Sequence, residues 1–172
     1  MPPARPPVLR LAPAALLSLA LTGAATTATA QEVVYLIRHA EKDSEGADPV
    51  LTEAGRARAA GWARMLAEAG IDAILTSDRR RTQETGAIVG AALGLPQVAL
   101  PASDVAATLD RLQFEHAEDV VLVVGHSETL PLIVEGLGGG AGVKIGPEEF
   151  DTLLVLTGLA EGAPRLLHLR MP

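Results

Sequence analysis

Apolar residues along this chain fall into short runs, separated by polar segments with a helical period. Val33-Val34-Tyr35-Leu36-Ile37 and Val120-Val121-Leu122-Val123-Val124 are continuous runs of strand length, and Ile71 to Leu75 is a shorter one. Uninterrupted rather than alternating apolarity is what a strand buried on both faces requires. Between the runs lie helix signals. Thr52 can cap a helix from about Glu53 to Ala69, with Gly70 as its stop. A second helix follows the polar turn Thr76 to Arg81 and ends near Leu93, before Gly94 and Pro96. Residues 97–101 can hold a short strand, Ser103 to about Ala117 a helix, and the segment after Gly125-His126-Ser127 a helix to about Leu137. Beyond the glycine-rich stretch 138–142, Thr152 to Leu156 and Arg165 to Leu169 form a predicted hairpin. Alternation of this kind predicts an α/β fold. The expected architecture is a mostly parallel central sheet with helices on both faces, a three-layer sandwich with a C-terminal hairpin.

Residues 1–30 depart from this pattern. Their only charges are Arg5 and Arg10, an apolar run from Leu11 to Leu21 follows, and the segment closes on Ala28-Thr29-Ala30. A positive start, apolar middle and small-residue end are the parts of a secretory signal peptide. The run is too short for a membrane span, which needs roughly 20 residues. The expectation is a leader over 1–30, a single domain over 31–172, and a periplasmic or secreted setting without stable membrane insertion after cleavage.

Removing Arg5 and Arg10 leaves 12 basic residues against 21 acidic ones, a formal charge of −9 for residues 31–172. An acidic domain is a poor general binder of nucleic acid. A site for an anionic ligand must then be a local cluster of cations. The chain has no cysteine, which excludes disulfides, thiolate metal sites, cysteine nucleophiles and a lipid-anchored cysteine.

Polar residues concentrate directly after three of the apolar runs: Arg38-His39, Thr76 to Arg81, and Gly125-His126-Ser127. Ligands of open α/β sheets bind outside the carboxyl ends of the strands, so these clusters are expected to converge on one sheet edge. They would supply two histidines that can exchange protons and several arginines that match phosphate oxygens bidentately. The cations Arg79-Arg80-Arg81 open a helix, where the dipole favours negative charge, and a bound anion would relieve that conflict. His116, in a polar stretch, and His168, inside a late strand, are read as structural.

In these residues the chain resembles the histidine phosphatase superfamily, which includes phosphoglycerate mutase. Arg38-His39-Ala40-Glu41 resembles its Arg-His-Gly-Glu signature, and Leu51-Thr52-Glu53-Ala54-Gly55 its Leu-Thr-x-x-Gly helix start. Ser77 to Thr85 is similar to its Ser-Pro-x-x-Arg-Ala-x-x-Thr segment, and Gly125-His126-Ser127 to the motif of its second histidine. Ala40 replaces the usual Gly, Asp78 stands where Pro is common and Gly86 where Ala is common. The resemblance implies that His39 is the nucleophile that becomes phosphohistidine, and that Arg38, Arg81 and His126 bind the phosphoryl group, with Ser127 beside them. Lys42 occupies a position where some members carry another basic residue; as a residue alone it reads equally as an exposed loop lysine. The general acid implied before the last central strand is Asp104, which reads equally as a helix cap; Asp110 and Glu115 fall inside the helix pattern. No metal or other cofactor is implied.

The mutases of the superfamily carry large insertions that shield the phosphohistidine from water. Here only residues 95–119 separate the second helix from the strand at Val120, so hydrolysis of a phosphorylated small molecule or envelope component is expected. Two other readings compete with this one. Gly125-His126-Ser127-Glu128-Thr129 resembles a serine-hydrolase elbow, with Asp151 and His168 following in triad order, but Thr129 replaces the second glycine that turn needs. A non-catalytic phosphate-binding module would keep the arginines but leave both histidines without a task.

Overall fold

The structure is a computed structural model that describes residues 33–171 and, apart from them, Met1; the leader reading of 1–30 lies outside these residues. In chain order the elements are β1 (Val33–Arg38), α1 (Glu53–Met65), β2 (Ala73–Ser77), α2 (Arg80–Leu93), β3 (Gln97–Leu100), α3 (Val105–Asp110), β4 (Val121–Gly125), α4 (Leu130–Gly136), β5 (Thr152–Thr157) and β6 (Arg165–Arg170). The six strands form one sheet in the order β3-β2-β4-β1-β5-β6. Pairings β3-β2, β2-β4 and β4-β1 are parallel, and β1-β5 and β5-β6 are antiparallel. The mixed α/β sheet, mostly parallel with a C-terminal hairpin, is thus the architecture expected from the pattern.

The apolar runs are continuous because both faces of β1 and β4 are covered. Val34 and Leu36 of β1 and Val121 and Val123 of β4 pack with Leu112, Leu130, Ile133 and Val134 on one side. Their neighbours Ile37, Leu122 and Val124 pack with Trp62, Ala63 and Val89 of α1 and α2 on the other. Successive side chains point to opposite faces of a strand, so one run feeds both cores.

Two element boundaries differ from expectation. The chain leaves helical geometry at Leu66, whose side chain is buried beside Trp62, so α1 stops before Ala69 and β2 begins at Ala73 rather than Ile71. The helix expected over 103–117 is split: α3 gives way to a π-helical turn, Arg111–Glu115, in which the His116 N–H donates to the Arg111 carbonyl at 3.0 Å and Leu112 is fully buried. Gly94 does end α2, at φ 72°.

The start of α1 shows why Leu-Thr-x-x-Gly recurs as a unit. Thr52 Oγ1 accepts the Gly55 N–H at 3.0 Å and donates to the Glu41 carbonyl at 3.3 Å. Leu51 is buried, and its N–H donates to Glu84 Oε2. A Cβ on Gly55 would overlap the Glu41 carbonyl oxygen, so only glycine lets α1 approach the segment that follows His39. Thr52→Ala should cost about 1 kcal/mol of folding stability, the worth of a helix cap. Gly55→Ala should cost more, about 2–3 kcal/mol, because backbone must move. Urea denaturation of both variants measures the order; Gly55→Ala at wild-type stability would contradict this packing.

Candidate active site

The carboxyl ends of β1, β2 and β4 lie side by side, with Arg38 in register with Gly125. Each strand runs into a polar segment there, and the three clusters read from the sequence meet at this edge. His39 is 3 % exposed and is tied to β4 through its N–H, which donates to the Gly125 carbonyl at 2.9 Å.

The His39 ring lies with Nδ1 2.8 Å from the Ala40 carbonyl oxygen. A carbonyl can only accept, so Nδ1 carries the proton and donates. Nε2 of the neutral ring is left with its lone pair. Burial pushes this imidazole down to about 3; the Ala40 hydrogen bond works the other way, and Arg81, His126 and Arg38 lower it further. His39 is therefore neutral at physiological pH, the form that can attack an electrophile. The segment is braced by Thr85, whose hydroxyl accepts the Ala40 N–H at 3.1 Å and donates to the Arg81 carbonyl at 2.7 Å.

Arg38 is 8 % exposed, and its guanidinium is gripped from one side. Nη1 donates to the carbonyls of Gly146 (2.9 Å), Pro147 (2.7 Å) and Glu149 (3.4 Å). The Phe150 ring lies 4.1 Å from Cζ, a cation–π contact, and 6.0 Å from the His39 ring. Glu149 holds this strap in shape: its carboxylate accepts from the Gly146 N–H, the Thr152 hydroxyl and Arg170. The Arg38 Nε, though buried, has no hydrogen-bond partner.

Arg81, at the start of α2, contacts Asp48 Oδ1 at 3.6 Å through Nη1 and His126 Nδ1 at 3.4 Å through Nη2. Its Nε is likewise buried without a partner. Asp48 also receives the Arg80 N–H on both carboxylate oxygens. The negative charge expected at this basic helix start is thus supplied by the protein itself. His126 is 3 % exposed, and its ring centroid lies 5.4 Å from that of His39. Burial lowers it to about 4, helped by Arg81 and opposed by Glu128. Nε2 of His126 lies 2.8 Å from Ser77 Oγ.

The remaining candidates sit further out. Lys42 is exposed, and its Nζ donates only to the Asp43 carbonyl, at 3.4 Å. Ser127 follows His126 in the turn and donates to Glu128 Oε2 at 3.0 Å. Asp104 caps α3 by accepting the Ala107 N–H at 2.9 Å, and it lines the same small cavity as Ser77. The serine-hydrolase triad is not assembled. His168 stands on β6, three places from β4 in the sheet, and Asp151 pairs with Arg170.

The buried guanidinium of Arg38 and the partly buried one of Arg81, each with a buried Nε that has no partner among the described residues, thus flank a neutral, buried histidine with a free Nε2. Residues 34–102 match the family model of the histidine phosphatase superfamily (branch 1). Over that segment the chain is similar to this superfamily. No curated protein matches it in sequence. Solved structures do match. The putative phosphohistidine phosphatase SixA from Agrobacterium tumefaciens is 24% identical with a TM-score of 0.57, over 81% of this chain and 97% of that one. The protein histidine phosphatase SixA complexed with tungstate is 22% identical with a TM-score of 0.62, over 80% and 96%. A mycobacterial glucosyl-3-phosphoglycerate phosphatase is 15% identical with a TM-score of 0.62, over 80% and 97%. At these identities the likeness is one of fold.

The departures from the superfamily's motifs have local reasons. Asp78, in place of Pro, accepts the Ala102 N–H at 3.0 Å and so ties β2 to the loop after β3. A Cβ on Gly86 would meet the Thr76 methyl and the Gln97 side chain. Sequence reasoning missed Asp48 and the 146–150 strap. Phe150 alone left a trace, as one of only two phenylalanines in the chain.

The two histidines make stability depend on pH. Their folded pKa values, about 3 and about 4, lie below the ordinary 6.5. As pH falls from 6.5 toward 3, the unfolded chain takes up protons that the folded site refuses, so stability is full above 6.5 and declines through this window. Urea midpoints should rise from pH 4 to pH 7, and His126→Asn should flatten the slope. An unchanged slope in that variant would mean that His126 is already charged in the fold.

Proposed function

We propose that this domain is a phosphatase that hydrolyses phosphate monoesters through a phosphohistidine on His39, without a metal ion. The observation that carries the reading is the pair of buried, unpartnered Nε atoms on Arg38 and Arg81 beside the free Nε2 of His39. Buried guanidinium N–H groups are costly to leave unbonded, and a phosphoryl group offers the oxygens to satisfy them. The match of residues 34–102 to the superfamily's model and the phosphatases among the structural neighbours support the same class.

In this reading Nε2 of His39 attacks phosphorus in line, and the bond to the leaving oxygen breaks as the N–P bond forms. Arg38, Arg81 and His126 spread the charge of the equatorial oxygens, the main source of rate in phosphoryl transfer. Asp104 gives its proton to the leaving oxygen. It then takes one from the water that cleaves the N–P bond, which releases phosphate and restores neutral His39. Its Oδ1 is committed to the α3 cap, leaving Oδ2 for this exchange. Ser127, next to His126 in the chain, and Lys42 are the further groups that this reading assigns to the substrate's phosphoryl oxygens. The leader pattern of residues 1–30 supports a periplasmic or secreted setting, with phosphorylated small molecules or envelope components as substrates.

With p-nitrophenyl phosphate, His39→Ala should be inactive and should trap no acid-labile phosphoenzyme. Arg81→Ala should lose about 10²–10³ in kcat/KM, the usual cost of one charge-stabilising donor. EDTA should leave the wild-type rate unchanged. Full turnover by His39→Ala would overturn the mechanism. Phosphate binding without turnover by the wild type would identify a binding module instead.

A further inference from the structure

His126 sits at the head of a short chain of hydrogen bonds whose direction can be worked out from its far end. The Thr82 hydroxyl lies 2.7 Å from the Arg79 carbonyl oxygen and 3.0 Å from that of Ser77. Both are acceptors only, so the Thr82 proton points at them. Thr82 Oγ1 must then accept along its 2.6 Å contact with Ser77 Oγ, and Ser77 is the donor there. With its one proton spent, Ser77 Oγ must accept along its 2.8 Å contact with His126 Nε2. It also accepts from the Arg79 N–H at 3.3 Å, which agrees with an acceptor role. The other side of the ring leads to the same answer independently. Nδ1 faces Arg81 Nη2 at 3.4 Å, and a guanidinium has protons to give but no lone pair to offer.

We infer that Ser77 and Thr82 are positioning residues: their relay, anchored on the Arg79 carbonyl, holds neutral His126 with its proton on Nε2 and its Nδ1 lone pair turned toward the Arg81 side of the pocket. The inference rests on the phosphatase reading for its consequence. A phosphoryl oxygen that draws Arg81 Nη2 to itself meets a bare lone pair on Nδ1, and a proton must lie between them. His126 therefore binds either a phosphoryl group that is already protonated, or an unprotonated one together with a proton taken up at Nδ1. Either way the site takes its ligand with one more proton than the free protein holds, and Ser77 keeps Nε2–H bonded throughout. The groups that face His126 are Arg81 from α2, Arg79 just before that helix, Arg38 from β1 and Glu128 from its own turn, with His39 across the pocket. Burial first, and then the three arginines, hold His126 neutral in the free state, and a bound anion offsets the arginines' share.

The test reads the ring nitrogens directly. In 15N-histidine-labelled protein at neutral pH, His126 should show a protonated Nε2 and an unprotonated Nδ1. Thr82→Val keeps the shape but removes the acceptor for Ser77, freeing the Ser77 proton to turn toward Nε2; the Nδ1–H form of His126 should then become populated. Thr82→Ser should restore the wild-type signals. Ser77→Ala, where the relay is cut at its head, should lose the slowly exchanging Nε2 proton. In turnover of p-nitrophenyl phosphate, Thr82→Val should lose on the order of tenfold in kcat/KM, the equivalent of one hydrogen bond, and Thr82→Ser should recover it. Protonated Nδ1 in the wild type, or unchanged ring signals in Thr82→Val, would overturn the relay. Expected ring signals in a protein that hydrolyses no phosphate ester would leave the relay standing and overturn the phosphatase reading alone.

Discussion

Bringing two guanidinium groups and two imidazoles to one sheet edge concentrates positive charge where burial already disfavours it. Arginine cannot shed its proton, so the cost falls on the histidines, and both are driven neutral. The rest of the edge is organised around the arginines. Backbone carbonyls and an aromatic face take one side of Arg38. A carboxylate from the loop before α1 takes one side of Arg81. Neither arrangement satisfies the whole guanidinium: the Nε of each is buried without a hydrogen-bond partner among the described residues. The histidines are unprotonated first because they are buried, and further because the arginines stand beside them.

The part of this arrangement carried by local pattern was legible in the sequence. Continuous apolar runs announced strands covered on both faces, and a polar cluster at each strand exit announced the sheet edge at which the charged residues gather. The four motifs placed His39, Arg38, Arg81 and His126 in one site because motif spacing encodes which loops meet. Boundaries were less legible. Leu66 reads as one more helical leucine, yet core packing beside Trp62 turns the chain there. Asp104 could be read as cap or acid, and the cap is visible in its bond to Ala107.

The unread part depends on groups without side-chain identity or on contacts remote in sequence. Arg38 is held chiefly by carbonyl oxygens, which every residue owns, so nothing in Gly146 or Pro147 marks them as partners of a residue more than a hundred positions earlier. Asp48 lies in a loop without periodicity, and an acidic residue there reads as ordinary solvated surface. The Ser77–Thr82 relay is a middle case. Both residues were visible in a motif, but the direction of their protons follows only from which acceptors surround them.

The strap over Arg38 also sets an order of events. It belongs to the segment leading into β5, and β5 is the strand that covers the open side of β1. His39, Arg38 and Arg81 are made early in synthesis, but the segment that grips Arg38 comes almost last. A chain lacking its final quarter carries every motif of the site and yet has an unsupported Arg38 beside a half-covered first strand. The site's support is therefore divided along the chain: the signature residues lie in its first three quarters, and the carbonyls that hold Arg38 lie in the last.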